Sequence, residues 1–299
     1  MKHVSKKMYP AIVAGALLAS ACIGVNKREP STVNHGKEQA LVFTADSLRW
    51  EDSLLADNYR VNVRINGMYP SGGATFLVDS VRAWIAVGLS NREYGNEAVR
   101  WESDTALLGN GEALAAAISQ EYMRSAKADM ESMEQGVPME PRYVREYEYS
   151  FSFFPEFSTD SILTYTFDRY DYTGGAHGSS MRMGQTFATA TGKALVASDM
   201  FLPEKESALK ELLRSGLWNQ YFNKEDNGSC GATLKDALLI DPDSLPMPAF
   251  PPMCVDTGIV FTYQQYEIAC YAAGKPTCIL PYRELKPLMR QEVARLLPE

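Results

Sequence analysis

Histidine is scarce in this 299-residue chain: there are three, and only His177 lies beyond the N-terminal segment. No Cys-x-x-Cys and no His-Glu-x-x-His occurs, so no ligand set for zinc and no histidine pair for a hydrolytic metal is present. We therefore expect no metal and no cofactor. A Gly-x-Ser-x-Gly nucleophile elbow is also missing. Basic residues are outnumbered, 29 Lys and Arg against 37 Asp and Glu, a formal net charge of −8. That balance argues against nucleic acid and against charge-driven docking on anionic lipid. Long apolar runs are lacking too, and the best one, Ala11 to Ala19, is about half of the roughly 20 residues that a bilayer crossing needs.

What is present begins with an export signal. Lys2, Lys6 and Lys7 precede that apolar run, and Ala19-Ser20-Ala21 places small residues directly before Cys22. The pattern predicts a signal peptide over residues 1–22 and not an anchor helix. A cysteine at this point reads as the acyl acceptor of a bacterial lipoprotein, although Ala19 stands where Leu is usual. Residues 23–39 are mostly polar, a mixture of Asn, Lys, Arg, Pro, Ser, Thr and Gly, the composition of a flexible tether. With the three leader lysines gone, 26 basic and 37 acidic residues leave a net charge of −11. The expectation is a cell-envelope protein held to the membrane only by its lipid.

Four further cysteines, Cys230, Cys254, Cys270 and Cys278, permit two disulfides in an exported chain. Cys270 and Cys278 flank Ala272-Ala273-Gly274-Lys275-Pro276, a turn expected to set their strands side by side. This predicts a Cys270–Cys278 bridge and leaves Cys230 with Cys254.

The body alternates between two periods. Val61, Val63 and Ile65 interleave with Asn62, Arg64 and Asn66 as in a strand. Leu77, Val81, Ile85 and Leu89 recur at helical spacing, as do Leu114, Ile118 and Tyr122. The period returns to two from Tyr143, through Tyr147, Tyr149, Phe151 and Phe153, and again over Ile162 to Tyr172. Further strands are expected over Ser180–Thr189, Ile259–Tyr263 and Thr277–Tyr282. Helices are expected over Glu204–Lys224 and Arg283–Leu297, and five prolines mark Asp241–Pro252 as an extended connector. No regular βαβ repeat emerges, so the fold class is α+β, with two small mixed subdomains and mainly antiparallel sheet. The boundaries expected are residues 40–155 and 156–299.

Two segments stand out from this pattern. Tyr172-Thr173-Gly174-Gly175-Ala176-His177-Gly178 gathers three glycines and the lone body histidine directly after a strand. Tyr266-Glu267-Ile268-Ala269-Cys270-Tyr271 is a second turn-rich segment between two β-like runs. Together with Thr191-Gly192-Lys193, Asp199-Met200-Phe201 and Ile279-Leu280-Pro281-Tyr282, they occur in an order that resembles the RsiV-like family. The part before them, with Tyr69-Pro70 followed by a helix, resembles that family's PdaC-type partner domain. The resemblance implies a two-domain envelope protein. Its best-understood relative is the ectodomain of an anti-sigma factor that binds lysozyme. Neither the relatives' spanning helix nor a following deacetylase domain is expected here, and Cys270 stands where the family commonly has proline.

The candidate binding residues are Tyr172, Gly174, Gly175, His177, Tyr266, Glu267 and Tyr271. The function expected is non-catalytic binding or sensing of a lysozyme-like muramidase or of cell-wall glycan. The alternative is a hydrolase with His177 as general base, oriented by Asp168, Asp171 or Glu267. A lone histidine in a glycine turn more often ties down the turn.

Overall fold

The computed structural model describes residues 43–56, 59–90, 105–134, 145–223 and 233–298. The expected signal peptide, Cys22, the tether and Cys230 lie outside the described residues. The described residues form one compact unit. Among the described residues no helix is long and apolar enough to cross a membrane.

Strands β1 (Thr44–Leu55) and β2 (Tyr59–Gly72) form an antiparallel pair. Val61, Val63 and Ile65 of β2 are fully buried while Arg60, Arg64 and Asn66 between them are exposed, so one face of the pair meets the core. The chain then leaves the sheet through α1 (Thr75–Ser90), α2 (Thr105–Leu108) and α3 (Gly111–Glu134). It returns as β3 (Arg145–Ser158), parallel to β2, the arrangement that such a crossover allows. Strands β4 (Ile162–Tyr172), β5 (Ser179–Ala188) and β6 (Ala194–Leu195) follow in antiparallel order and complete a six-stranded sheet. Strand β3 runs on through residues 155/156 and pairs with β4 on both sides of a bulge between Pro155 and Phe157, with Phe153 opposite Phe167. The chain's two halves are distinguished by their cores.

The first core lies between α1, α3 and one face of the sheet. Leu77, Val81, Ile85, Leu114 and Ile118 meet Val63, Phe151 and Phe167 there. Phe153 and Phe167 stack with ring centroids 6.1 Å apart. The second core covers part of the opposite face. It gathers α4 (Ala197–Met200), α5 (Glu206–Leu217) and α6 (Leu234–Ala237) around the antiparallel strands β7 (Met253–Val255), β8 (Gly258–Thr262) and β9 (Thr277–Leu280). Leu209, Leu213 and Leu217 recur every fourth residue on α5 and are buried. Among the contacts that join the cores are two around β5. The Cys254 amide donates to Thr186 Oγ1 at 2.9 Å, and Gly184 leaves room for Met253, whose side chain would meet any Cβ there at 2.2 Å.

The class is α+β with mainly antiparallel pairing, as expected; β2–β3 is the one parallel pair among the strands described. Two expectations are corrected. The helix predicted over 283–297 is divided into α7 (Tyr282–Leu285), a 3-10 turn at Lys286–Leu288 and α8 (Gln291–Ala294). Pro287 has no amide to donate into a helix, and Met289 is extended and bridges Phe201, with the Arg290 amide on Met200 O at 2.9 Å. The second correction concerns the thiols. Cys254, Cys270 and Cys278 are free, so the expected Cys270–Cys278 bridge is not formed, while the expected Cys230–Cys254 bridge rests on Cys230, outside the described residues. Cys278 faces inward beneath α5, with Gly216 packed over its Sγ, and its cross-strand partner is Phe261. Cys270 sits in the loop beyond β8 and has no place opposite β9.

Candidate functional site

The turn from β4 to β5 and the loop from β8 to β9 meet at one end of the sheet. Gly174 and Gly175 have φ of 94° and 88° and point into open space, so the turn needs residues free to occupy the left-handed region. Tyr172 Oη donates to Gly175 O at 3.1 Å and ties the turn's first half. Gly178 lies flat against the Tyr170 ring, whose atoms would stand 2.5 Å from any added Cβ. The Gly178 carbonyl then accepts twice: from Tyr271 Oη at 2.8 Å, and from His177 Nδ1 at 3.1 Å in the tautomer that carries the proton there. This shared acceptor stacks the two rings, with centroids 3.8 Å apart and planes 22° apart. Tyr266 continues the row 5.8 Å from Tyr271. Burial, and then the nearby Glu148, Tyr271 and Tyr172, raise the Tyr170 phenol above its usual range.

Glu267 positions this row. Its Oε1 accepts from the Ala249 amide and its Oε2 from the Gln264 amide, each at 2.7 Å. Gln264 and Gln265 then dock on the outer edge of β5. The Arg182 amide donates to Gln264 Oε1 at 3.0 Å, Gln264 Nε2 donates to Arg182 O at 2.9 Å, and the Ser180 amide donates to Gln265 Oε1 at 3.0 Å. Side-chain amides thus occupy backbone positions that a further strand would pair with. Lys275 Nζ donates to Ser180 Oγ at 2.8 Å, and desolvation lowers its pKa, with Asp168 opposing that shift.

Tyr266 is the strained member. Its φ is 65°, the one positive value among the described non-glycine residues, and the residue is 60 % exposed. A bulky residue in the left-handed region costs on the order of 1 kcal/mol or more. Little packing offsets that cost at such exposure.

The structure brings together Tyr172, Gly174, Gly175, His177, Tyr266 and Tyr271 on one exposed surface, with Glu267 beneath as a clamp. The carboxylates named as orienters of His177 are engaged elsewhere. Asp168 pairs with Arg182 at 3.3 Å, Asp171 with Arg169 at 2.5 Å, and Glu267 holds backbone. Sequence reasoning missed Tyr170, Gln264, Gln265 and Lys275. Tyr170 was legible as an outward position on β4, but the glutamines carried no pattern to single them out. Beside the aromatic row lies a cleft of about 280 Å³, walled by Arg169, Ser179, Met181 and Phe250.

Comparison with known proteins divides the chain at this site. The family model described as Deacetylase PdaC matches residues 95–180, and that described as Protein of unknown function (DUF3298) matches residues 198–283. No curated protein matches the chain. A DUF3298 family member from Bacteroides fragilis shares the fold with a TM-score of 0.66 at 19 % identity, over 84 % of this chain and 95 % of that one. A DUF3298 family protein from Pseudomonas aeruginosa gives 0.54 at 14 % identity, over 87 % and 99 %. His177 falls in the first matched region and Tyr266 and Tyr271 in the second, so the aromatic row is built from both. The two matches follow one another along the chain, a stretch similar to the PdaC model and then one similar to the DUF3298 model.

Proposed function

We propose that this protein is an exported, lipid-anchored binding module of the cell envelope, and that the row formed by His177, Tyr271 and Tyr266 is its recognition surface. The observation that carries the reading is Tyr266, a strained backbone bearing an exposed aromatic ring. Strain of this kind persists where a side chain is required in a set place, and tyrosine offers large contact area with a polar tip. Flat rings beside hydroxyl and amide groups suit a sugar face or a protein partner. The partner we propose is peptidoglycan or a lysozyme-like muramidase, in keeping with the resemblance to the RsiV-like family. Cys22 is the proposed anchor.

The hydrolase reading finds less support. His177 is exposed, its Nδ1 is taken by the Gly178 carbonyl, and each candidate carboxylate has another partner. A general base needs an orienting group and reach to a bound substrate. Co-sedimentation with insoluble peptidoglycan and surface binding to lysozyme test the proposal. Wild type is expected to bind one of them, and Tyr271→Ala to lose that binding while staying folded. Absence of binding to both would refute it.

A further inference from the structure

We propose that the cleft beside the aromatic row, which shares the Gln264–Glu267 segment with it, is a second binding site and takes a small organic carboxylate through Arg169. The Arg169 side chain is 6 % exposed and lines the cleft. Its Nε donates to Asp171 Oδ2 at 2.5 Å, and its Cζ lies 5.9 Å from the Tyr122 ring centre and 5.8 Å from that of Phe151. Rings and carboxylate therefore fix the guanidinium's plane and one edge. Among the described residues, no other hydrogen-bond acceptor holds the guanidinium's Nη end. An arginine held in this way loses little freedom when it captures a planar anion by two parallel bonds.

Packing alone does not call for a cation here. On the same face of β4, the residues at 163, 165 and 167 are Leu, Tyr and Phe, all buried in the first core. An apolar residue at 169 would extend that stripe, and replacing a buried ion pair by apolar groups is commonly neutral or stabilising. A ligand supplies the reason that packing does not.

The walls describe the ligand. Met181 stands opposite Arg169 in the β4–β5 register and Ser179 opposite Asp171. With Phe250 they offer a hydroxyl and an apolar surface beside the guanidinium, while Ser180, Gln264, Gln265 and Glu267 close the other side, the Glu267 carboxylate being held by the Ala249 and Gln264 amides. Asp171 already balances part of the arginine's charge, which favours a monocarboxylate over a phosphate dianion. The volume of about 280 Å³ lies at the lower end of ligand pockets, which run from ~300 to 1,000 Å³. An N-acylated amino acid, or the C-terminus of a short peptide, has this size and chemistry.

The test uses the intact protein and two probe mixtures: N-acetyl alanine, leucine and phenylalanine of both hands, and the matching carboxamides. Saturation-transfer NMR reports binding, and the Met181 methyl signal, assigned through Met181→Leu, reports its place. The acids are expected to bind at millimolar concentrations and to shift that methyl, with the amides at least about tenfold weaker. Arg169→Lys keeps the charge and loses the fork, and is expected to cost the acids a similar factor. If Arg169→Lys fails to fold, the acid-against-amide comparison on wild type decides. Equal binding of acids and amides, binding that leaves Met181 unmoved, or no binding of any acid would overturn the proposal. Tyr266 is not itself a wall of the cleft, although Gln265 and Glu267 beside it are, so acid binding by Tyr266→Gly and row binding by Arg169→Lys are both measured and the two readings fail separately.

Discussion

Burial makes the thiols of Cys254 and Cys278 sensors of alkaline pH, and the effect is large enough to measure. Desolvation pushes Cys254 from 9.0 to about 11, against weaker opposing hydrogen bonds from Thr186 and Tyr282, and pushes Cys278 to about 12. In the unfolded chain both titrate near 9. Stability from these groups is therefore fully present below that value and falls as pH rises from 9 towards 11 and 12. Each pH unit in that window costs about 1.4 kcal/mol per thiol, so moving from near pH 8 to about pH 10 removes roughly 3 kcal/mol. That is a large part of the ~5–15 kcal/mol that holds a typical domain together. Urea unfolding at the two pH values measures it. Native labelling with N-ethylmaleimide near neutral pH adds an independent readout, in which half-buried Cys270 reacts while Cys254 and Cys278 react only after unfolding. Equal stability at both pH values, native labelling of Cys278 as fast as Cys270, or a mapped Cys270–Cys278 disulfide would refute the reasoning.

Other expected outcomes follow from single contacts. Gly178→Ala places a Cβ 2.5 Å from the Tyr170 ring and is expected to lower stability by about 1–3 kcal/mol, read by urea unfolding. Glu267→Ala removes the acceptor of two backbone amides and is expected to cost about 1–3 kcal/mol, with Glu267→Gln recovering part of it. His177→Ala, at an exposed ring with one backbone contact, is expected to change stability by less than about 1 kcal/mol. His177→Gln is expected to retain partner binding, and a substrate turned over by wild type but not by this variant would restore the hydrolase reading.

Much of the sheet was legible because its residues alternate. Val61, Val63 and Ile65 announced β2, and Ile162 to Tyr172 marked β4 with both ends correct. Helix α3 was legible from Leu114, Ile118 and Tyr122 at a spacing of four. The last helix was misread because Leu285, Leu288 and Leu296 lie near helical spacing while Pro287 and the capture of Met289 by Phe201 are tertiary and steric matters. The Cys270–Cys278 bridge was misread for a related reason. A turn of glycine and proline shows that the chain reverses, yet it does not show which face of β9 Cys278 occupies. At the site, glycine chemistry exposed the Tyr172–Gly178 turn directly. The stacking of His177 on Tyr271 was invisible, because residues 94 positions apart meet through one shared carbonyl. Arg169 was missed because it occupies a strand position whose pattern predicts an apolar side chain.

Tyr266→Gly tests the central claim most directly, because it separates the backbone from the ring. Glycine accepts a φ of 65° without strain, so the variant is expected to be as stable as wild type or more stable by up to about 1 kcal/mol. Binding to peptidoglycan or lysozyme, whichever the wild type shows, is expected to fall at least about tenfold, as loss of a central aromatic contact commonly costs 2 kcal/mol or so. A variant that unfolds more readily than wild type and binds as well as it does would show that Tyr266 is there for the fold, and the account of this surface would be wrong.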